Sequence, residues 1–207
     1  LGDVSIIFAG DIRVEGRVLW LHPEHNLALV QYDPALIGST PIQSVKLRDK
    51  KVSRGDKLHI VGRNFSHELL TARSRVTDVG LLEVPLGRVP FFRDTNIEVI
   101  HFSTEPETVG GVVSDRRGRV VAMWASFVNM SGKEEKYEKY GLPAYVLQES
   151  LAQYSEAGLK GLGIEFSTLP LAKARDFGLT DEQALSLARL DPRRRVLQID
   201  RISAIST

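Results

Sequence analysis

The sequence contains no cysteine. That absence excludes disulfides, thiol catalysis and thiolate-bound metals, and it fits a reducing compartment without requiring one. No run of ~20 apolar residues is long enough to span a bilayer, and no basic n-region leading into an apolar stretch reads as a signal peptide. Nor does one charge dominate. Lys and Arg total 27 against 26 Asp and Glu, for a formal net charge of +1, so no global field draws in nucleic acid or anionic lipid. An initiator Met is also missing: Leu1 falls inside a strand-like run, which reads as a piece of something longer.

What is present suits a soluble globular protein. The chain is 207 residues long, 43% apolar and 26% charged, enough for one ordinary domain and part of another. From Val4 to about Phe127, short apolar runs alternate with turn residues: Val4 to Phe8, Val18 to Leu21, Leu27 to Tyr32, Leu58 to Val61, Ile97 to Phe102 and Val120 to Phe127. Such spacing predicts an all-β barrel or sandwich. Val18–Leu21 and Leu27–Val30 are nearly continuous apolar runs, as expected of strands buried on both faces or at a barrel core. Val52 to Asp56 reads as a polar turn, and Asn129 to Tyr140, rich in Lys and Glu, as an exposed loop. Trp20, Tyr32, Trp124 and Phe127 are expected in the core.

Beyond Pro143 the period changes. Val146, Leu147, Ser150, Leu151 and Tyr154 fall at helical spacing, and Gly158 is a candidate stop. A strand is then expected over Gly161–Phe166 and a helix from Pro170 to Phe177, ended by Gly178. Thr180 with Gln183 forms a capping-box pattern for a further helix that Pro192 halts, and Val196 to Ile202 alternates as a strand. These final ~45 residues are too few for a core of their own by the size argument.

The chemistry concentrates in Glu107-Thr108-Val109-Gly110-Gly111-Val112-Val113-Ser114, followed by Asp115 to Gly118 and the apolar tract Arg119–Phe127. A Gly-rich turn before an apolar hairpin can aim backbone N–H groups at an oxyanion. The side chain ahead of the glycines, however, is valine, with no oxygen or sulfur to attack a carbonyl. Ser103, Thr104, Thr108 and Ser114 carry hydroxyls nearby, but a nucleophile needs a neighbouring base and a donor-lined pocket, and solvated or turn-bonded hydroxyls are the simpler reading. His22 and His25 flank Glu24 without the further converging ligands that zinc requires. A polar turn is expected there, with no metal and no cofactor. Arg193-Arg194-Arg195 is the densest basic run, either a solvated turn feeding a strand or a contact for an acidic partner.

Three stretches resemble the HtrA/Deg family, whose members carry a chymotrypsin-like double barrel followed by a PDZ domain. His22 to Pro34, with Asn26-Leu27-Ala28-Leu29, is similar to the strand bearing the catalytic aspartate, and Asn26 stands at the aspartate's position. Glu107 to Gly111 is similar to the nucleophile loop, with Val109 at the serine's position and Gly110 and Gly111 kept. Ile164-Glu165-Phe166, Lys173 to Glu182 and Asp191 to Arg194 resemble the start of the PDZ domain in tandem-repeat members of plants and fungi, and the match is nearest to their degenerate second copy.

The resemblance implies a mainly β fold: a chymotrypsin-like double barrel, partly truncated at its N-terminus, over residues 1–157, and the first part of a PDZ domain over 158–207. It also puts the catalytic histidine upstream of Leu1. The chain is then expected to be catalytically inactive, a scaffold or substrate-presenting part of a larger serine endopeptidase of protein quality control. Two alternatives remain: a module that binds peptide C-termini through Gly161, Leu162, Gly163 and Ile164, and an endopeptidase with a nonstandard nucleophile. Expected partners are other domains of the parent chain, peptides or unfolded protein, and further copies of the parent; nucleic acid and membrane are not. The implied location is intracellular, in nucleus or plastid.

Overall fold

The computed structural model describes residues 3–8, 10, 12–22, 25, 27–82, 96–129, 136–154, 163–191 and 193–202. Strands β1 (Val4–Phe8), β2 (Ile12–Leu21) and β3 (Ala28–Tyr32) form an antiparallel sheet in the order β1-β2-β3. Its strands alternate rather than being buried on both faces: Leu19 and Leu21 are exposed while Val14 is buried. The expectation of two-sided burial is corrected here, because the period of two sends successive side chains to opposite faces. A short 3₁₀ turn over Pro34–Ile37 follows, capped by Asp33, whose carboxylate accepts from the Ala35 N–H.

The rest of the β structure closes on itself. Strands β4 (Lys57–Arg63), β5 (Leu69–Leu81), β6 (Glu98–Phe102), β7 (Gly110–Ser114), β8 (Val120–Asn129) and β9 (Lys136–Pro143) form a six-stranded barrel in the order β4-β5-β6-β9-β8-β7, with β7 returning to β4. β4 shows why the sequence folds this way: Leu58, Ile60 and Gly62 face inward, while Lys57 and Arg63 face water. The core is Leu58, Ile60, Val76, Ile100, Phe102, Val113, Val121, Ala122 and Trp124. A second cluster, Ile97, Val99, Phe127, Leu142 and Val146, seats helix α1 (Ala144–Gln153) on the barrel. Val146 and Ser150 are the buried side of α1, as the helical spacing requires, whereas Leu151 is exposed; Gly158 lies outside the described residues.

The exposed loop expected over Asn129 to Tyr140 differs from the structure, and one strand has no counterpart in the expectations. Lys136 to Tyr140 is part of β9 and pairs with β8 from Asn129↔Lys136 through Ser126↔Lys139; the Lys and Glu residues disguised a strand whose backbone is laddered along its length. β5 escaped the apolar pattern because Thr71, Arg73, Arg75 and Thr77 alternate along its outer face.

Beyond α1, strand β10 (Ile164–Pro170) pairs antiparallel with β11 (Arg195–Ile202). Between them lie α2 (Leu171–Ala174), a 3₁₀ turn (Arg175–Phe177) that Gly178 ends at φ 97°, and α3 (Asp181–Leu190). The capping box at α3 is complete: Gln183 N–H donates to Thr180 Oγ1, and Thr180 N–H to Gln183 Oε1. The buried apolar residues of this segment are Leu171, Ala174 and Ala184, while Leu185, Leu190, Leu197 and Ile199 are exposed. Among the described residues no helix is long and apolar enough to cross a membrane.

Candidate functional site

Val109 is fixed by its backbone and presented by its side chain. Its N–H donates to Arg63 O at the end of β4 (2.8 Å), its carbonyl accepts from Ser126 Oγ on β8 (3.3 Å), and its isopropyl group is 49% exposed. Just before it, Thr108 turns inward. Thr108 Oγ1 accepts from buried Trp124 Nε1 at 2.9 Å, and Thr108 N–H donates to Pro106 O at 2.8 Å. The indole N–H thus finds the partner that a buried donor needs, and Thr108 is locked as a structural acceptor.

Gly110 and Gly111 are not a turn. They are the first residues of β7, paired with Arg63 and Gly62 of β4, and neither has positive φ. Their role is close approach: a Cβ on Gly111 would lie 2.1 Å from Val61 O, and one on Gly62 would lie 2.3 Å from Gly110 O. Two glycines, Gly62 and Gly111, therefore let β4 and β7 come together where the barrel closes. Gly62 carried a usable signal in the sequence, a lone glycine inside an apolar strand.

The Ser103 hydroxyl is likewise engaged, and Thr104 is held through its backbone. Ser103 Oγ accepts from Arg75 N–H (3.2 Å), and Thr104 N–H donates to Ser74 Oγ (3.1 Å). His101 lies against Tyr140 with ring centroids 4.8 Å apart and makes no hydrogen bond to any of these hydroxyls among the described residues.

His22 and His25 form a built turn. His22 is buried and accepts at Nδ1 from His25 N–H (3.1 Å), while His22 N–H donates to Leu27 O (2.7 Å). The two rings meet edge to face at 4.5 Å, and Trp20 meets His22 edge to face at 5.0 Å. Burial pushes the His25 imidazole pKa below its ordinary value, and its Nδ1 is buried without a hydrogen-bond partner among the described residues. Asn26 lies outside the described residues, as do Pro23 and Glu24. No group of three metal-ligating side chains occurs among the described residues.

At the C-terminal segment Gly161 and Leu162 also lie outside the described residues, while Gly163 takes φ 63° and Ile164 opens β10. Sequence reasoning missed what meets this strand. Asn96, just before β6, donates from Nδ2 to Ile164 O (2.7 Å) and accepts at Oδ1 from Phe166 N–H (2.8 Å). One side-chain amide thereby makes both hydrogen bonds that a residue of a parallel neighbouring strand would make opposite Glu165. Arg193 adds a second tie by donating from its guanidinium to Val79 O on β5. Between the two units a cleft of about 370 Å³ is lined by Val79, Leu81, His101, Tyr140, Thr168 and Arg193.

A family model described as the trypsin-like peptidase domain matches residues 2–123. The chain belongs to the trypsin-like peptidase family. It is 36% identical over 192 residues to a PDZ domain-containing protein of Schizosaccharomyces pombe, covering 88% of this chain and 19% of that protein. It is 29% identical over 226 residues to Protease Do-like 7 of Arabidopsis thaliana (95% and 21% covered), and 31% identical over 199 residues to the pro-apoptotic serine protease NMA111 of Pyricularia oryzae (91% and 19%). These relatives put it in the HtrA/Deg branch, and the chain spans about a fifth of their length. Among solved structures it superimposes on Deg5 with a TM-score of 0.52 at 17% identity, covering 75% of this chain and 69% of that one. On the HtrA-type protease AlgW with a decapeptide the TM-score is 0.53 at 16% identity, covering 86% and 53%. The mainly β, chymotrypsin-like fold is thus shared.

In a trypsin-like peptidase the nucleophile's own backbone N–H is one of the oxyanion donors. In this member of the family the N–H at Val109 is taken by Arg63 O.

Proposed function

We propose that this chain is a catalytically inactive trypsin-like domain followed by the first part of a PDZ domain, with the boundary near residue 157, serving a larger HtrA/Deg serine endopeptidase as a scaffold or substrate-presenting part. The observation that carries the reading is Val109. It has no attacking atom, and the backbone donor that would stabilise an oxyanion there is spent on Arg63. Asn26 at the aspartate's position supports it, because a neutral amide does not stabilise an imidazolium, and an Asp-to-Asn change in trypsin itself costs about 10⁴ in turnover. By family resemblance the parent works in protein quality control as an oligomer, in nucleus or plastid.

The regulatory side of this role is supported by Asn96 and Arg193, which tie the C-terminal segment to the barrel. A second reading, peptide C-terminus binding through Gly161, Leu162, Gly163 and Ile164, rests on the family resemblance and would require the Asn96 amide to release Ile164 O and Phe166 N–H. These are backbone groups of the kind that strand addition uses, and Asn96 holds both of them.

The test is digestion of labelled casein by the purified chain and by Val109→Ser. Both are expected to stay at the buffer rate, because restoring a hydroxyl restores neither base nor oxyanion donor. Turnover by the variant, or turnover by the parent chain that disappears when one hydroxyl is removed, would overturn the reading.

A further inference from the structure

The outer faces of β4 and β5 carry like charges opposite one another. Their register sets Lys57 against Arg75, a like-charge pair, with Arg73 next along the same face of β5 opposite His59, and alternation with buried Leu58, Ile60 and Ser74 turns these side chains outward. Like charges directly opposite destabilise a strand pair. Arg116, in the turn between β7 and β8, joins them around one cleft of about 660 Å³.

No carboxylate among the described residues pairs with Lys57, Arg73, Arg75 or Arg116. The adjacent acids are committed elsewhere. Asp115 is held by Arg119 at 2.7 Å and by the Arg117 and Arg119 N–H groups, and Asp56 by Arg48 at 3.6 Å and the Ser53 N–H. A chain of net charge +1 thus gathers four unneutralised cations at one place, against the interest of its own strand pairing. A second cleft of about 430 Å³ shares Lys57 and Arg116 and continues past Arg117 to Arg48 paired with Asp56 and Arg119 paired with Asp115, leaving Lys57, Arg116 and Arg117 as its unneutralised cations.

We propose that this basic cleft is a docking site for an extended acidic segment of a protein, whose Glu and Asp carboxylates take Lys57, Arg73, Arg75 and Arg116. Arginines favour this occupant because the guanidinium fork matches a carboxylate in two parallel hydrogen bonds. Two adjoining clefts suit a run of carboxylates better than a single point anion. A nucleic acid is disfavoured by the near-neutral whole, since phosphate-backbone binding draws on a broad positive field. The site requires nothing of Val109 and stands whether or not the chain hydrolyses peptides.

The test is fluorescence anisotropy of a fluorescein-labelled Glu/Ser peptide titrated with the whole 207-residue chain. Saturable binding is expected, weakened about tenfold or more between ~50 and ~300 mM salt as exposed charges are screened. The double change Arg73→Gln and Arg75→Gln is expected to weaken it at least about tenfold, the worth of one to two charge-assisted hydrogen bonds. Arg17→Gln, on β2, is expected to leave it unchanged. The double variant is expected to melt no lower than the parent chain, since it removes repulsion, so its loss of binding reports a lost contact. Three results would overturn the proposal: no saturable binding at low salt, equal binding by the double variant, or tighter binding of a single-stranded oligonucleotide of matched charge.

Discussion

At Gly111 a methyl group would sit 2.1 Å from the Val61 carbonyl oxygen and 2.6 Å from Gly62 Cα, both of them backbone atoms that no rotamer change can move aside. Gly111→Ala is therefore expected to destabilise the barrel by about 3 kcal/mol, the upper range for overpacking a close-packed site, measured as a fall in the urea midpoint. A variant as stable as the parent chain would remove the packing explanation for these glycines. Val109 differs in kind. Its side chain is half exposed and only its backbone is held, so the position tolerates substitution sterically, and the proposal of inactivity rests on its side chain having no attacking atom. The valine at this position was legible in the sequence; the engagement of its N–H by Arg63 was not, since it depends on how closely β7 approaches β4.

Among the elements, β10 is held to the residue just ahead of β6. Its edge away from β11 presents Ile164 O and Phe166 N–H, and the Asn96 amide satisfies both. Asn96→Ala removes two neutral hydrogen bonds worth about 1 kcal/mol each. Amide exchange at Phe166 is expected to accelerate by about tenfold or more, with exchange at the Ile60 amide of the barrel core unchanged; unchanged exchange at Phe166 would contradict the contact. The sequence showed α3 and β11 well because their signals are local, the Thr180 and Gln183 box after Gly178 and the run from Val196, whereas β10, expected over Gly161–Phe166, runs from Ile164 to Pro170. It did not show β5 or the start of β9, whose Arg, Thr, Lys and Glu residues mimic a loop when only hydrophobicity is read. Nor could it show Asn96, which acts across ~70 residues of chain on backbone groups, where no side-chain pattern leaves a trace. The proposed place of Asn26 rests on its sequence neighbours alone, since it lies outside the described residues.

For the molecule as a whole, acid should weaken the fold through the turn that joins β2 to β3. Burial lowers the His25 imidazole pKa below its ordinary 6.5, so the unfolded chain takes up that proton at a higher pH than the folded one. The contribution is fully present above pH 6.5 and is lost as pH falls below it. The urea midpoint should therefore drop between about pH 7.5 and about pH 5.5 in the parent chain and drop less in His25→Gln; equal drops would assign the acid sensitivity elsewhere. The inactivity proposal is a statement about the same whole, because a trypsin-like barrel can keep its fold while its chemistry is gone. Incubation of the intact chain with a fluorophosphonate probe, read by intact-mass spectrometry, tests it most directly. The account predicts no mass increase at any probe concentration that labels an active serine peptidase fully; a stoichiometric adduct on one serine or threonine would contradict it.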